Sequence, residues 1–231
     1  MLSIRDLHAY YGKSHVLQGV DLEVRGGEVV ALLGRNGVGR STLAKAVMGV
    51  VAPVGAIDFR GQPIAGLPKH RIARLGLGYI PEDRAIFNGL TVRENLGLGL
   101  KNPRRPARYD VDQMLDMFPN LRARADTDAA VLSGGEKQML AMCRTLIGDP
   151  ALIIIDEPTE GLAPKIVQQI GDMIAEIARL GVSILLIEQK LSIALRIARR
   201  VYVMGHGEIV YEGTPARFAE RDDVRREWLE V

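Results

Sequence analysis

Residues 34–42 read GRNGVGRST, and both the residue types and their spacing suit a phosphate group. Glycines let a backbone wrap closely and turn its N–H groups inward. The run follows the apolar stretch Val29–Leu33 and precedes a helical pattern, so the positive N-terminal end of a helix would face the same anion. On this reading Gly34, Asn36, Gly37, Gly39, Arg40 and Thr42 surround phosphate oxygens, and the Ser41 hydroxyl reaches Mg²⁺. One position departs from the usual G-x-x-x-x-G-K-[ST] pattern. Arginine stands at position 40 in place of lysine, a planar fork in place of a compact point charge. A glycine-rich turn that binds nothing has the same composition.

Two more segments carry chemistry. Leu152–Pro158 reads LIIIDEP, an apolar run ending in the carboxylates Asp156 and Glu157. Asp156 can hold Mg²⁺ directly or through water, and Glu157 is then placed to orient or deprotonate an attacking water. A helix cap after a strand accounts for one carboxylate and not for the adjacent pair. Leu132–Glu136 reads LSGGE and opens a helical pattern. There Ser133 and the N–H groups of Gly134 and Gly135 offer a second anion site, although an ordinary serine N-cap followed by glycines reads the same way.

The elements around these motifs follow from periodicity. Val16–Val24 and Glu28–Leu33 read as strands separated by a turn at Arg25–Gly27. Helix is expected from Gly39 to Met48, with Leu43, Ala46 and Val47 inward. Val54–Phe59 and Gly78–Ile80 read as strands and His70–Leu75 as a short helix. Helical pieces at Val92–Leu100 and Val111–Phe118 flank the loop KNPRRPARYD, where Pro103 and Pro106 break regular structure. Beyond them come a helix at Glu136–Ile147, a buried strand at Ala151–Ile155 and a long helix at Pro164–Leu180. A strand at Ser183–Ile187, a helix at Leu191–Arg199 and a hairpin around Gly205–Gly207 precede a helical tail. Strands alternating with helices imply an α/β fold with a mainly parallel sheet.

Composition excludes several classes. The 231 residues are 47% hydrophobic and 25% charged, which rules out a disordered or low-complexity chain. A single cysteine, Cys143, excludes an internal disulfide framework. Lys+Arg 30 against Asp+Glu 28 gives +2, so no overall charge points to nucleic acid. The longest apolar runs fall far short of the ~20 residues a bilayer requires, and the N-terminus lacks the pattern of a secretory signal. The chain is expected on the cytoplasmic side of the membrane, reaching it only through another protein.

The order GRNGVGRST, LSGGEKQ, LIIIDEPTEGL resembles the layout of an ATP-binding-cassette ATPase over essentially the whole chain, and LSGGE is that family's signature. The resemblance implies a P-loop NTPase core, an N-terminal antiparallel β subdomain and a helical lobe inserted at about residues 88–140, together forming one ATP-binding domain. It implies ATP and Mg²⁺ as ligands. It also implies two cassettes paired head to tail, so that Ser133, Gly134 and Gly135 of one close over the ATP of the other.

Further positions follow from the same resemblance. Tyr11 matches the aromatic residue that stacks on adenine, although a half-buried strand tyrosine remains open. Glu82, in GYIPEDRAIF, stands where most cassettes have a glutamine that touches Mg²⁺ and senses the membrane partner. Gln189 stands where most have a histidine on the γ-phosphate, and Ala163 where many have an aspartate crossing the dimer interface. PEDRAIF, EGLAP and IEQ together resemble the second ATPase subunit of branched-chain amino acid importers, whose near relatives serve urea and short-chain amides. The implied partners are integral-membrane permease subunits, a sister ATPase or a second copy and, indirectly, a solute-binding protein. The groove around Glu82–Asn88 with the helix at Val92–Asn95 is the expected docking surface. Arg40 is not explained by this resemblance. Hydrolysis slowed with binding retained, as in a nucleotide-gated subunit, is the alternative it raises.

Other residues promise less. His8, His15, His70 and His206 show no helical pairing for a metal. Cys143, Met139 and Met142 read as packing residues. The basic loop 101–108 reads equally as a membrane-partner contact and as a solvated loop.

Overall fold

The computed structural model describes residues 1–100 and 108–230. Of the basic loop 101–108, residues 101–107 lie outside the described residues.

Strands β1 (Leu2–Tyr11) and β2 (Ser14–Val24) form an antiparallel hairpin. Next come β3 (Val29–Leu33), helix α1 (Arg40–Val47), β4 (Pro53–Phe59), β5 (Gln62–Pro63), α2 (Lys69–Arg74) and β6 (Leu77–Ile80). Helices α3 (Val92–Gly97), α4 (Val111–Met117), α5 (Pro119–Arg122) and α6 (Gly134–Leu146) separate β6 from β7 (Leu152–Asp156). The chain continues through α7 (Pro164–Arg179), β8 (Ser183–Glu188), α8 (Leu191–Ile197), β9 (Arg200–Gly205) and β10 (Glu208–Gly213) to α9 (Pro215–Ala219) and α10 (Asp222–Trp228).

Two sheets result. The antiparallel one runs β2-β1-β4-β5, and the larger runs β10-β9-β3-β8-β7-β6, with only the β9–β10 pair antiparallel. This is the expected α/β architecture, with its mainly parallel sheet, its N-terminal antiparallel sheet and a helical segment between β6 and β7.

Alternation along the central strands divides the interior. Leu152 and Ile154 of β7, with Leu185 and Ile187 of β8, join α1 and the antiparallel sheet in one core. Ile153, Ile155, Ile184 and Leu186 face the other way, against α3, α6 and α7. A third cluster packs Ala31, Leu33, Val201 and Val203 under Phe218. Strands covered on both faces need apolar side chains throughout, and β7 and β8 are buried at every residue.

The structure differs from expectation mainly at element ends. The helix expected to reach Leu100 stops at Gly97, where the Gly99 and Leu100 N–H groups turn back to Leu96 and Gly97. The helix expected to reach Arg199 stops at Ile197, because the Arg199 N–H donates to Val29 and leads the chain into β9. The strand expected from Glu28 starts at Val29. Glu28 is instead a buried anchor, with its carboxylate taking the Arg200 guanidinium at 2.7 Å and the Arg25 N–H at 2.9 Å.

Candidate active site

The parallel strands all end on one edge, and α/β ligands bind at that edge. Leu33 pairs with Glu188, Asp156 with Ile187 and Ile80 with Ile155. Thus the loop after β3, the acidic end of β7 and the turns after β6 and β8 meet there. A cavity of about 240 Å³ opens between them. Its wall includes Asn36, Gly37, Gly39, Arg40, Ser41, Thr42, Glu82 and Glu157. Two residues not anticipated, Val16 and Glu160, complete it.

The loop is built for an anion. Gly39 caps α1 with φ 113°, a conformation that favours glycine, and no side chain caps the first turn. No acidic residue lies in that turn. The free N–H groups of α1 are therefore open toward the cavity. A side chain at Gly34 would meet the Met204 carbonyl at 2.7 Å, which fixes glycine where the loop leaves β3.

Arg40 is 96% buried by its side chain's 4% exposure. Its Nη2 donates to Glu157 Oε1 at 2.5 Å and to Asn36 Oδ1 at 3.0 Å, while Nη1 has no partner. Glu157 has a left-handed backbone, φ 46°, held by its N–H to the Ile187 carbonyl at 2.9 Å. Ser41 Oγ donates to Asp156 Oδ1 at 3.2 Å and Tyr79 Oη to Oδ2 at 3.3 Å. Burial pushes the Asp156 carboxyl above the ordinary carboxylate range, against the hydrogen bonds from Ser41 and Tyr79. Burial, then Asp156, raises the Tyr79 phenol. Asp156 is thus a desolvated carboxylate satisfied only by hydroxyls among its described hydrogen-bond partners. With Ser41, and with Glu82 on the same cavity wall, it forms a hard-oxygen donor set that fits Mg²⁺.

Behind this rim lies a tie that the sequence did not disclose. Buried Glu188 accepts from Thr159 Oγ1 at 2.6 Å and from the N–H groups of Gln189 and Lys190 at 3.1 and 3.2 Å. It joins the turn bearing Gln189 to the loop after β7. The Gln189 side chain is exposed and outside the cavity wall. Arg84 is a second unforeseen tie. Its φ of 63° and that of Ala85, 46°, mark a tight turn. Its Nε donates to Gln138 Oε1 of α6 at 3.2 Å, and Arg144 of α6 donates to the Ala85 carbonyl at 2.7 Å.

Ser133, Gly134 and Gly135 are not at this cavity. They open α6, where Ser133 Oγ accepts from the Glu136 N–H and Glu136 accepts from the Ser133 N–H, a reciprocal capping box. Ser133 borders a separate hollow of about 450 Å³ beside Lys165 and Ile166. A side chain at Gly135 would lie 2.5 Å from Ile166 Cγ2, so packing against α7 also requires that glycine. The Ser133 N–H bond lowers the Glu136 carboxyl. A lowered folded-state value means that the stabilisation is present above the ordinary glutamate range and is lost as pH falls through the folded-state value. Glu136→Ala is therefore expected to cost about 1 kcal/mol at pH 7, a melting-point drop of roughly 2–4 °C. The difference from wild type should narrow in melts taken between pH 5 and pH 3.

The remaining sites are soon placed. Tyr11 is half exposed at the end of β1 and is not part of the cavity wall. Its neighbour Tyr10 stacks on His15 with ring centroids 4.3 Å apart. His8 and His15 meet across the hairpin at 3.0 Å, a pairing set by strand register and not by helical spacing. Among the described residues no group of three or more potential ligands could hold a metal by itself. Cys143 is wholly buried and its thiol is pushed up by desolvation, which makes it a packing residue as expected. Met139 and Met142 are also core. Among the described residues no helix is long and apolar enough to cross a membrane.

A phosphate-type loop facing a carboxylate pair across one sheet edge defines a nucleotide-hydrolysing cassette. The model of the ABC transporter family matches residues 17–160. The chain is 41% identical over 231 residues to the high-affinity branched-chain amino acid transport ATP-binding protein BraG of Pseudomonas aeruginosa, covering 99% of each chain. It is 36% identical over 225 residues to the probable branched-chain amino acid transport ATP-binding protein LivF of Archaeoglobus fulgidus, covering 96% of this chain and 95% of that one. A nucleotide-free ATP-binding cassette from an ABC transporter superposes with a TM-score of 0.85 at 26% identity, covering 98% of this chain and 97% of that one. The chain belongs to the ABC transporter family, as an ATPase of that family.

Proposed function

We propose that the chain powers uptake of branched-chain amino acids through separate integral-membrane subunits, from the cytoplasmic side of the membrane. One observation carries the chemistry: Arg40, Ser41 and Glu157 line one cavity, and Ser41 is hydrogen-bonded to Asp156. Full-length likeness to BraG and LivF supports the choice of solute.

The roles follow from the side chains. Gly34, Asn36, Gly37, Gly39 and Thr42, with the α1 N–H groups, cradle the phosphates, and Tyr11 stacks on the base. Ser41 and Asp156, joined by Glu82, would hold Mg²⁺, which when bound neutralises charge on the phosphate oxygens. Arg40 places its guanidinium against the phosphates. Glu157 orients water and takes its proton as the water oxygen attacks the γ-phosphorus and the bond to the β-phosphate oxygen breaks. The Gln189 amide can hydrogen-bond the phosphoryl group but cannot become a cation. Ser133, Gly134 and Gly135 act on the nucleotide of a second cassette, either a sister ATPase or another copy. That division agrees with their distance from the cavity in one chain. Glu82–Asn88 and α3 receive the membrane subunit, and Phe87 is half exposed there.

A second reading has one observation in its favour. The Arg40–Glu157 pair suits a nucleotide-gated subunit with weak turnover. Transport is tested by capturing the tagged chain from its own membranes in mild detergent and identifying what accompanies it by mass spectrometry. Integral-membrane permease subunits are expected, and their absence would defeat the transport reading. Loss of labelled leucine and valine uptake on deleting the chain, with urea and acetamide uptake intact, would separate the solutes.

A further inference from the structure

Arg40 spends one terminal guanidinium nitrogen on two acceptors and leaves the other terminal nitrogen with none. Nη2 holds Glu157 Oε1 at 2.5 Å and Asn36 Oδ1 at 3.0 Å, and buried Nη1 is unpartnered. The Glu157 side chain is only 10% exposed. Its backbone is anchored to β8 through Ile187, so the side chain alone decides where its carboxylate lies. A lysine presents one compact charge, whereas a guanidinium fork can grip a carboxylate at one nitrogen and offer a second nitrogen to another oxyanion.

We propose that Arg40 is the positioning residue for Glu157: in the nucleotide-free chain it draws the carboxylate to itself, and a nucleotide phosphate competes for the same guanidinium and releases it. This rests on the reading of Gly34–Thr42 as the phosphate loop. While the guanidinium holds Oε1, the carboxylate is turned toward Arg40 and only Oε2 is left to an incoming water. Its placement as a base therefore changes when the loop fills, which ties it to occupancy of its own site.

Three features support competition. Both charges are nearly excluded from water, where an ion pair is strong only with close contact. The phosphate loop and Glu157 line the same cavity. Buried Nη1 has no partner, so an oxyanion that displaces Glu157 gains a donor otherwise left unused.

The test is ADP affinity, measured without Mg²⁺ on dilute chain with a fluorescent ADP analogue. ADP removes hydrolysis from the comparison. Glu157→Asp keeps the charge but shortens its reach, and Glu157→Gln keeps an acceptor but removes the charge. Both are expected to bind ADP about five- to tenfold more tightly than wild type. In an Arg40→Met background, Glu157→Gln is expected to change ADP affinity by less than about twofold. Circular dichroism melts establish that each variant is folded, and Glu157→Asp carries the test where a double variant is not. Wild-type affinity in Glu157→Asp would overturn the proposal. So would equal tightening by Glu157→Gln in both backgrounds, because the carboxylate would then act through its charge alone. ADP binding by none of the chains would overturn the phosphate-loop reading itself, and the proposal with it.

Discussion

A chain carrying Glu157→Gln is expected to hydrolyse ATP about 10²- to 10⁴-fold more slowly than wild type, the range for removing a positioned general base. The glutamine amide still accepts from Arg40 and still fits beside Asn36, so the cavity keeps its shape. What it loses is the capacity to take a proton from water at neutral pH. Single-turnover rates at saturating Mg²⁺-ATP separate this from any change in affinity. A fall of less than about tenfold would remove Glu157 from the proton-accepting role assigned here. The neighbouring carboxylate does not substitute, because Asp156 is engaged by Ser41 and Tyr79 and buried behind them.

Arg40→Met is the second large effect. It takes a buried cation from the phosphate loop and leaves the Glu157 carboxylate without the partner it has at 2.5 Å. Turnover is expected to fall about 10²- to 10³-fold, as for loss of a preorganised charge-stabilising donor. Stability should fall by about 1–3 kcal/mol, because a buried acceptor loses its hydrogen bond. The expected loss is moderated by the cavity, which lets water reach the carboxylate. Arg40→Lys should retain most of the stability and lose the fork. Comparing the two variants by chemical denaturation and steady-state kinetics separates charge from shape. Equal turnover in Arg40→Met and wild type would take arginine out of the chemistry altogether.

Much of this site is legible in the sequence, because its parts are contiguous. GRNGVGRST, LSGGE and LIIIDEP each carry their chemistry within nine residues or fewer. The central strands beneath them are apolar through their middles, a pattern that a buried parallel sheet imposes. What stayed hidden are partnerships set by sheet order and not by spacing. Arg40 and Glu157 are 117 positions apart, Arg84 and Gln138 are 54 apart, and Thr159 and Glu188 are 29 apart. Each pair meets only because β3, β6, β7 and β8 end side by side. Alternation does not mark β1 as a strand, for a different reason. Asp6 takes φ 46° and shifts the register between Ile4 and Leu7, which interrupts the two-residue alternation that marks a strand. Glu188 stands in IEQ, but a single charge at the end of an apolar strand does not disclose that the Thr159 hydroxyl and the N–H groups of Thr159, Gln189 and Lys190 surround it.

With Ser133–Gly135 apart from the cavity in one chain, hydrolysis is expected to need two cassettes. In the transporter the second would be a sister ATPase or another copy. In isolation mass action must bring two copies together. The most direct measurement is the Mg²⁺-ATP hydrolysis rate per chain across a wide range of chain concentration, with Glu157→Gln as the background. The rate per chain should rise with concentration before levelling, and stand well above that of the glutamine variant. A rate per chain that stays constant at every concentration would mean that one chain suffices. A rate no greater than the variant's would mean that Glu157 does not drive hydrolysis. Either result would contradict the mechanism drawn from this cavity.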